Sequence, residues 1–384
     1  MKNLEEQLAR RRRAQLYRER LILDSPQGVE LRVDEETLLA FCSNDYLGLA
    51  NHPEVIAAFK RGAERYGVGA GASHLVSGHS RAHHALEEEL AEFVGAERAL
   101  LFSTGYMANL GVAAALAERH SVIFEDRLNH ASLIDAARLT QAKVRRYPHA
   151  DGARLAALMA EAKNVALIMT DAVFSMDGDI APLADLVRLA AEHGARLLAD
   201  DAHGLGVLGA NGRGTFEQLS VPLAPPAILM GTLGKAFGTF GAFVAGEAAL
   251  VETLIQHART YIYTTALPPA VAEATRASLK LVTAESWRRE RLRALVARFR
   301  EGAQELGFAL AAAETPIQPL IMGESERALA ASRTLRARGI LVPAIRPPTV
   351  PEGSARLRVT FCANHTEAQV DRLLDALNAI RTAA

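Results

Sequence analysis

The sequence predicts an α/β fold: a large domain on a mostly parallel sheet, followed by a smaller α+β C-terminal domain. Two observations carry this. From about Asn44 to Gly246, short apolar runs alternate with helical segments. Each run is too short for a helix and is bounded by Gly, Asp or Ser, as buried strands are. Such strand–helix alternation places parallel strands under covering helices. After Pro268-Pro269 the texture changes to a long charged helix, then to short apolar runs separated by helices and a proline-rich loop. The domain boundaries this predicts are 1–43 for an N-terminal helix and arm, 44–269 for the large domain and 270–384 for the small one.

Taken in order, residues 3–20 read as a charged helix with Leu4, Leu8 and Leu16 on one side. Its Arg10–Arg13 run, flanked by Glu5, Glu6 and Glu19, reads as a solvated face. A turn-rich link follows through Asp24-Ser25-Pro26 and Gln27-Gly28. The expected strands of the large domain are Leu100–Phe102, Ser121–Phe124, Val165–Thr170, Arg196–Ala199, Ile228–Met230 and Ala242–Ala245. Residues 81–94 carry Ala82, Leu86, Leu90 and Phe93 at helical steps. The C-terminal part reads as a helix over about 270–305 with Trp287, a run Ile317–Ile321, a helix near 325–338, a run Ile340–Ile345, the loop 347–351, a run Leu357–Phe361 and a last helix over 366–381. No internal repeat and no low-complexity tract interrupts this pattern.

Composition excludes several functions. The 384 residues are 49% hydrophobic and 23% charged, which rules out a disordered chain. Lys and Arg number 43 against 44 Asp and Glu, a balance that argues against a nucleic-acid binder. No stretch approaches the roughly 18 uninterrupted apolar residues of a membrane span. The N-terminus has no apolar signal-peptide core. Two cysteines far apart, Cys42 and Cys362, each beside a Phe, point to a reducing compartment, hence the cytoplasm, and read as buried filler.

Three segments can carry chemistry. The first is Gly231-Thr232-Leu233-Gly234-Lys235-Ala236-Phe237-Gly238, after an apolar strand. A P-loop needs Ser or Thr after the lysine, and Ala236 stands there. What remains is Lys235 in a mostly apolar setting, where desolvation lowers an amine pKa and a neutral amine forms an imine with an aldehyde. A surface loop lysine is the plainer reading. The second is Arg196–Gly204, an apolar strand ending in Asp200, Asp201 and His203. Ligand sites of open α/β sheets lie at strand carboxyl ends. Asp and His are also metal ligands, so a metal-dependent hydrolase using these three residues stays open. The third is Phe102-Ser103-Thr104-Gly105-Tyr106-Met107-Ala108-Asn109, where a strand breaks and a helix begins, a place for an anion such as phosphate. Gly67-Val68-Gly69-Ala70-Gly71 fails the dinucleotide fingerprint because His74 takes the third glycine's place. His79 and His83 lack the glutamate of a zinc-protease helix and read as a helix-end pair. Taken together, a phosphate cup, a strand-end carboxylate and an imine-forming lysine are what pyridoxal 5′-phosphate needs. A planar group such as His130, in Asn129-His130-Ala131-Ser132, can stack on its ring.

The motifs Asn44-Asp45-Tyr46-Leu47-Gly48, Asn129-His130-Ala131-Ser132, Phe174-Ser175-Met176-Asp177-Gly178, Asp200-Asp201-Ala202-His203-Gly204 and Thr232-Leu233-Gly234-Lys235 occur in this order. With them the chain resembles the α-oxoamine synthases, a pyridoxal-phosphate family of the aspartate-aminotransferase fold (fold type I), over nearly its whole length. The segment Arg346-Pro347-Pro348-Thr349-Val350-Pro351 resembles the members that act in biotin biosynthesis. The resemblance implies that Lys235 bonds to the cofactor and later moves the α-proton. It also implies that Asp200 pairs with the pyridine nitrogen, His130 stacks on the ring and His203 bonds its phenolic oxygen, with Ser175 nearby. Thr232, Gly105 and Tyr106 would hold the phosphate, helped by Thr264 and Thr265 of a neighbouring subunit in a homodimer. Arg358 would clamp an amino acid carboxylate, with Asn44 beside the substrate, and Arg18 and Thr349 would line the acyl side. No metal is implied. The implied reaction joins L-alanine to a pimeloyl thioester, on CoA or acyl carrier protein, with loss of carbon dioxide. The alternatives are a glycine-using synthase of the same family, such as a 2-amino-3-ketobutyrate CoA ligase, and a non-catalytic scaffold. The retained Lys235 and Asp200 weigh against the scaffold.

Overall fold

The computed structural model describes residues 3–311 and 313–382. In chain order its strands are β1 (Glu30–Val33), β2 (Glu36–Ala40), β3 (Arg98–Phe102), β4 (Val122–Asp126), β5 (Lys143–Tyr147), β6 (Val165–Asp171) and β7 (Arg196–Asp200). The remaining strands are β8 (Ala227–Thr232), β9 (Ala242–Gly246), β10 (Ile317–Gly323), β11 (Ile340–Leu341), β12 (Ala344–Ile345) and β13 (Ala355–Thr360). Contacts gather the chain into two units. The larger holds Leu47–Ser175 and Ile180–Arg289, and the smaller holds the described residues up to Tyr46, Met176–Asp179 and those from Glu290 onward.

The larger unit is built on a seven-stranded sheet in the order β3-β9-β8-β7-β6-β4-β5. Strands β8, β7, β6, β4 and β5 run parallel, and β9 is antiparallel to both its neighbours. All six strands expected here are present. The seventh, β5, was not foreseen. It is an edge strand carrying Lys143, Arg145 and Arg146, and charge is how edge strands avoid further pairing. Helix Gly105–Leu116 is apolar on nearly every side and packs Ala108, Val112 and Ala113 against Leu100, Ile123, Leu198 and Val244 of the sheet. Leu133, Ala136 and Ala137 of helix Ala131–Leu139 join the same core.

The smaller unit has two three-stranded sheets, β1-β2-β11 and β10-β13-β12. The hairpin β1–β2 lies where the sequence pattern gave only an arm. The run 340–345 divides between the two sheets because Pro343 has no N–H for either ladder: β11 pairs in parallel with β2, and β12 antiparallel with β13. Leu31, Val33, Leu38 and Ala40 form a small core with Cys42 and Leu341. Two expected helices are shorter than their periodicity suggested. The N-terminal one spans Leu4–Arg13 and stops where Gln15 turns to φ +55°, leaving Leu4 and Leu8 exposed. The long helix over 270–305 is two, Pro269–Ala284 and Ser286–Glu305. They are separated at Glu285, which leaves helical geometry and accepts the Arg288 N–H. No helix among the described residues is long and apolar enough to cross a membrane.

Candidate active site

The carboxyl ends of β6, β7 and β8 converge on one place. In the parallel register Asp171 lies opposite Asp200, so two adjacent strands end in carboxylates. Asp200 is buried; Oδ1 accepts the Ala202 N–H at 3.1 Å and Oδ2 accepts from Asn109 Nδ2 at 2.8 Å. Asn109 Nδ2 also donates to Ser132 Oγ at 2.9 Å, and that hydroxyl lies 2.8 Å from His130 Nδ1. The His130 backbone N–H closes the circuit on Asp171 Oδ2 at 2.6 Å. Asn129 braces this turn by donating to the Met169 carbonyl and accepting the Asp171 N–H. Burial holds the His130 imidazole below its ordinary range, with Asp200 raising it and Lys235 lowering it. Burial and the Asp200 charge hold Asp171 well above the usual carboxylate range.

Lys235 rides on the loop between β8 and β9. Leu233 N–H bonds the Gly241 carbonyl and Thr239 N–H the Leu233 carbonyl, while Gly238 N–H closes a turn on the Lys235 carbonyl. Gly238 has φ +64°, and a Cβ there would run into the backbone of Leu49 and Ala50. Only glycine suits both conditions. Lys235 Nζ is 2.9 Å from His203 Nε2. Asp201 points elsewhere: it accepts the Thr215 N–H and hydroxyl, each at 2.6 Å. Among the described residues Asp200, Asp201 and His203 do not bring three ligand atoms together, which removes the basis for a hydrolase metal centre there.

Past β3, Thr104 caps helix Gly105–Leu116 by accepting the Met107 N–H, and the helix presents first-turn N–H groups beside Ser103. Tyr106 is exposed and its hydroxyl donates to Asp135. Thr232 ends β8, with its hydroxyl donating to the Gly241 carbonyl at 3.2 Å. Thr265 pairs with Ser73 in an isolated bridge, and its carbonyl lies 3.5 Å from Ser103 Oγ. Ser175 sits in the turn after Phe174, whose ring meets His149 edge-on.

The smaller unit holds the remaining candidates. Arg358, buried on β13, donates to Asn44 Oδ1 at 3.2 Å, and the Tyr46 hydroxyl donates to the same oxygen. Its neighbour Arg356 is committed to Asp177 and to the Met176 and Ser354 carbonyls. Arg18 and Thr349 line one open groove of about 260 Å³ together with Arg346. Burial, and then the positive charge of Arg18, hold the Arg346 guanidinium below its ordinary range.

The family model for aminotransferase class I and II matches residues 36–377. The chain belongs to that family. Among its relatives is the 8-amino-7-oxononanoate synthase of Thioalkalivibrio sulfidiphilus, 60% identical over 380 residues, 98% of this chain and 97% of the relative. A serine palmitoyltransferase from S. paucimobilis, solved with a bound PLP–myriocin aldimine, superposes with a TM-score of 0.93 at 30% identity, covering 100% of this chain and 97% of that one. The 8-amino-7-oxononanoate synthase from Francisella tularensis gives a TM-score of 0.79 at 34% identity, covering 90% and 97%.

In this member of the aminotransferase class I and II family, four residues of the two clusters were not singled out by sequence reasoning. Asp171 follows the apolar run Val165–Thr170 directly, the same signal that marked Asp200. Asn109 lies four residues after Gly105 on one helix, hence on the face of the helix start. Ser132 follows His130 by two residues in Asn129-His130-Ala131-Ser132, and Arg346 opens the Arg346-Pro347-Pro348-Thr349 segment.

Proposed function

We propose that this chain condenses L-alanine with a pimeloyl thioester in biotin biosynthesis. The products are 8-amino-7-oxononanoate, carbon dioxide and the free thiol carrier. The observation that carries this is 60% identity, over 98% of the chain, to a relative named for that product. The cofactor is pyridoxal 5′-phosphate, and the residues suit it. An amine on Lys235, a buried and doubly held carboxylate on Asp200, the flat ring of His130 and a helix start at Gly105 belong to one unit. Asn109 Oδ1, beside Asp200, is buried with no donor among the described residues, leaving a place in the hydrogen-bond pattern for one.

When bound, the cofactor supplies an electron sink for the carbanion at the α-carbon. The rest falls to the chain. Lys235 would hold the cofactor through Nζ; once alanine's amine has taken its place in that bond, the freed Nζ would accept the α-proton of alanine and return a proton after carbon dioxide has left. Asp200 keeps the ring nitrogen protonated through its charge. His130 would stack on the ring and His203 would hydrogen-bond its phenolic oxygen, with Ser175 near the cofactor; His203 Nε2 already lies 2.9 Å from Lys235 Nζ. Thr232, Gly105 and Tyr106 hold the phosphate, joined by Thr264 and Thr265 of a second copy of the chain in a homodimer. Arg358 clamps the alanine carboxylate bidentately, with Asn44 next to it. Arg18 and Thr349, with Arg346, receive the acyl chain. The donor is a CoA or acyl carrier protein thioester, and the compartment is the cytoplasm, in keeping with two free thiols.

The test is an assay of purified protein with alanine or glycine and several acyl thioesters. Alanine with the pimeloyl thioester is expected to be the best pair. Comparable kcat/KM for glycine with acetyl-CoA would move the assignment to a glycine-using synthase. Borohydride is expected to trap the cofactor on wild type but not on Lys235→Ala; trapping on another lysine in that variant would refute the assignment. An active monomer in the ultracentrifuge would refute the shared site.

A further inference from the structure

We propose that His79 Nε2, His84 Nδ1 and Glu87 Oε2 form a surface site for one divalent transition-metal ion of zinc's class, apart from the cofactor residues. His79 stands just ahead of helix Arg81–Val94, and His84 and Glu87 lie one turn apart on a shared face of that helix. His79 Nε2 is 3.4 Å from His84 Nδ1 and 3.9 Å from Glu87 Oε2, and one ligand atom from each of the three residues lies within 4.8 Å of one from each of the others. Bonds of roughly 2.0–2.1 Å in a tetrahedral zinc site put ligand atoms about 3.3–3.5 Å apart, so a small movement of Glu87 closes the set.

Two ligands are already oriented from behind, as metal ligands usually are. Glu87 Oε1 accepts the Leu101 N–H at 2.9 Å, which turns Oε2 toward His79. His79 Nδ1 lies 2.9 Å from His74 Nδ1. With the proton on His79 Nδ1 and donated to His74, a lone pair is left on Nε2. The neighbouring trio His74, His79 and His83 is closed to metal. His83 Nδ1 accepts the Ser80 N–H at 3.0 Å, and Nε2 donates to the Leu267 carbonyl at 2.7 Å. The His84 side chain is half exposed, so an ion enters from solvent and keeps water in the fourth position. Two imidazoles and one carboxylate favour zinc, nickel or cobalt over magnesium or calcium. A bound ion would pin helix Arg81–Val94 to the turn His74–Gly78, whose neighbour Ser73 bridges Thr265.

The test uses holoprotein stripped with a chelator and titrated with zinc chloride against a chromophoric zinc indicator. Wild type is expected to take up one zinc per chain at this site and to melt at a higher temperature with it. His84→Ala, at an exposed position, and Glu87→Gln, which keeps an acceptor for Leu101, are each expected to weaken that uptake at least tenfold and to lose the thermal shift. His120→Ala, a surface histidine elsewhere, should behave as wild type. Absence of stoichiometric uptake by wild type, or unchanged affinity in either His84→Ala or Glu87→Gln, overturns the proposal.

Discussion

The Asn109 side-chain amide donates at once to the Asp200 carboxylate and to Ser132 Oγ, at 2.8 and 2.9 Å. One buried NH₂ group thus aims the carboxylate and, through Ser132, the His130 ring. We expect Asn109→Ala to cost about 1–3 kcal/mol of stability, the usual price of stranding buried partners. Turnover should fall roughly tenfold if Asp200 then turns from the ring nitrogen. Asn109→Asp should do worse, since a second carboxylate beside Asp200 favours the protonated form of one of them. A pH titration of the bound cofactor's absorbance reads this directly. An Asn109→Ala titration superimposable on wild type would show that Asn109 only packs.

Adjacent carboxylates divide the labour. Asp200→Asn should keep the fold yet lose turnover by at least about a hundredfold, because the ring charge goes. Asp201→Asn should do the reverse: its bonds to Thr215 hold a loop, so melting temperature falls while kcat changes little. Thermal melts and kinetics on the two variants side by side decide it. Equal kinetic losses would erase the distinction.

His365 is expected to make the smaller unit acid-sensitive. It is buried, stacked on Phe41 at 4.4 Å, bonded through Nδ1 to the Cys362 N–H and through Nε2 to the Ala40 carbonyl. Burial holds it down to about 4 from 6.5. The unfolded chain therefore binds the proton first, and stability is lost as pH falls from 6.5 toward 4, by up to about 3 kcal/mol at 1.4 kcal/mol per unit. His365→Leu should be less stable than wild type at pH 7, and the gap should narrow toward pH 4.5. Urea unfolding at several pH values checks this; a gap that stays constant would contradict it.

Arg18 and Arg346 sit close enough that one depresses the other, and an anion between them would relieve the repulsion. We expect Arg346→Met to raise KM for a pimeloyl thioester by roughly tenfold or more and to leave an uncharged acyl thioester of equal length nearly unaffected. Equal losses on both substrates would make the arginine structural.

Much of this was legible because strand ends announce themselves. Asp200 closes an apolar run and Lys235 follows one, which marked both as candidates; Lys235 alone reads as a surface loop lysine, and it was the helix start at Gly105 and the family motifs that set it apart. The edge strand β5 was missed because its alternating lysine and arginines look like a solvated helix face without knowledge of its neighbour. Asn109, four residues into an apolar helix, has no local mark that separates it from a buried core amide. Its role comes from Asp200, which only the folded sheet brings beside it. The break at Glu285 hid because the residues on either side, Leu281–Ala284 and Trp287–Glu290, continue a helical pattern, and no Gly or Pro punctuates it.

The pairing of β2 with β11 sets an order of events during synthesis. Leu39 emerges early, yet its ladder partner Ile340 leaves the ribosome only when most of the chain has already been made. Chains fold from the N-terminus as they emerge, and long-range pairings close late. The large sheet, complete once β9 has emerged, can therefore form while β2, paired on one edge with β1, still waits for β11 on the other. An arrested nascent chain ending near residue 300 should already resist protease across Leu47–Ser175 and remain cleavable within Glu30–Ala40. In a cell, that waiting hairpin is the stretch a chaperone would have to shield.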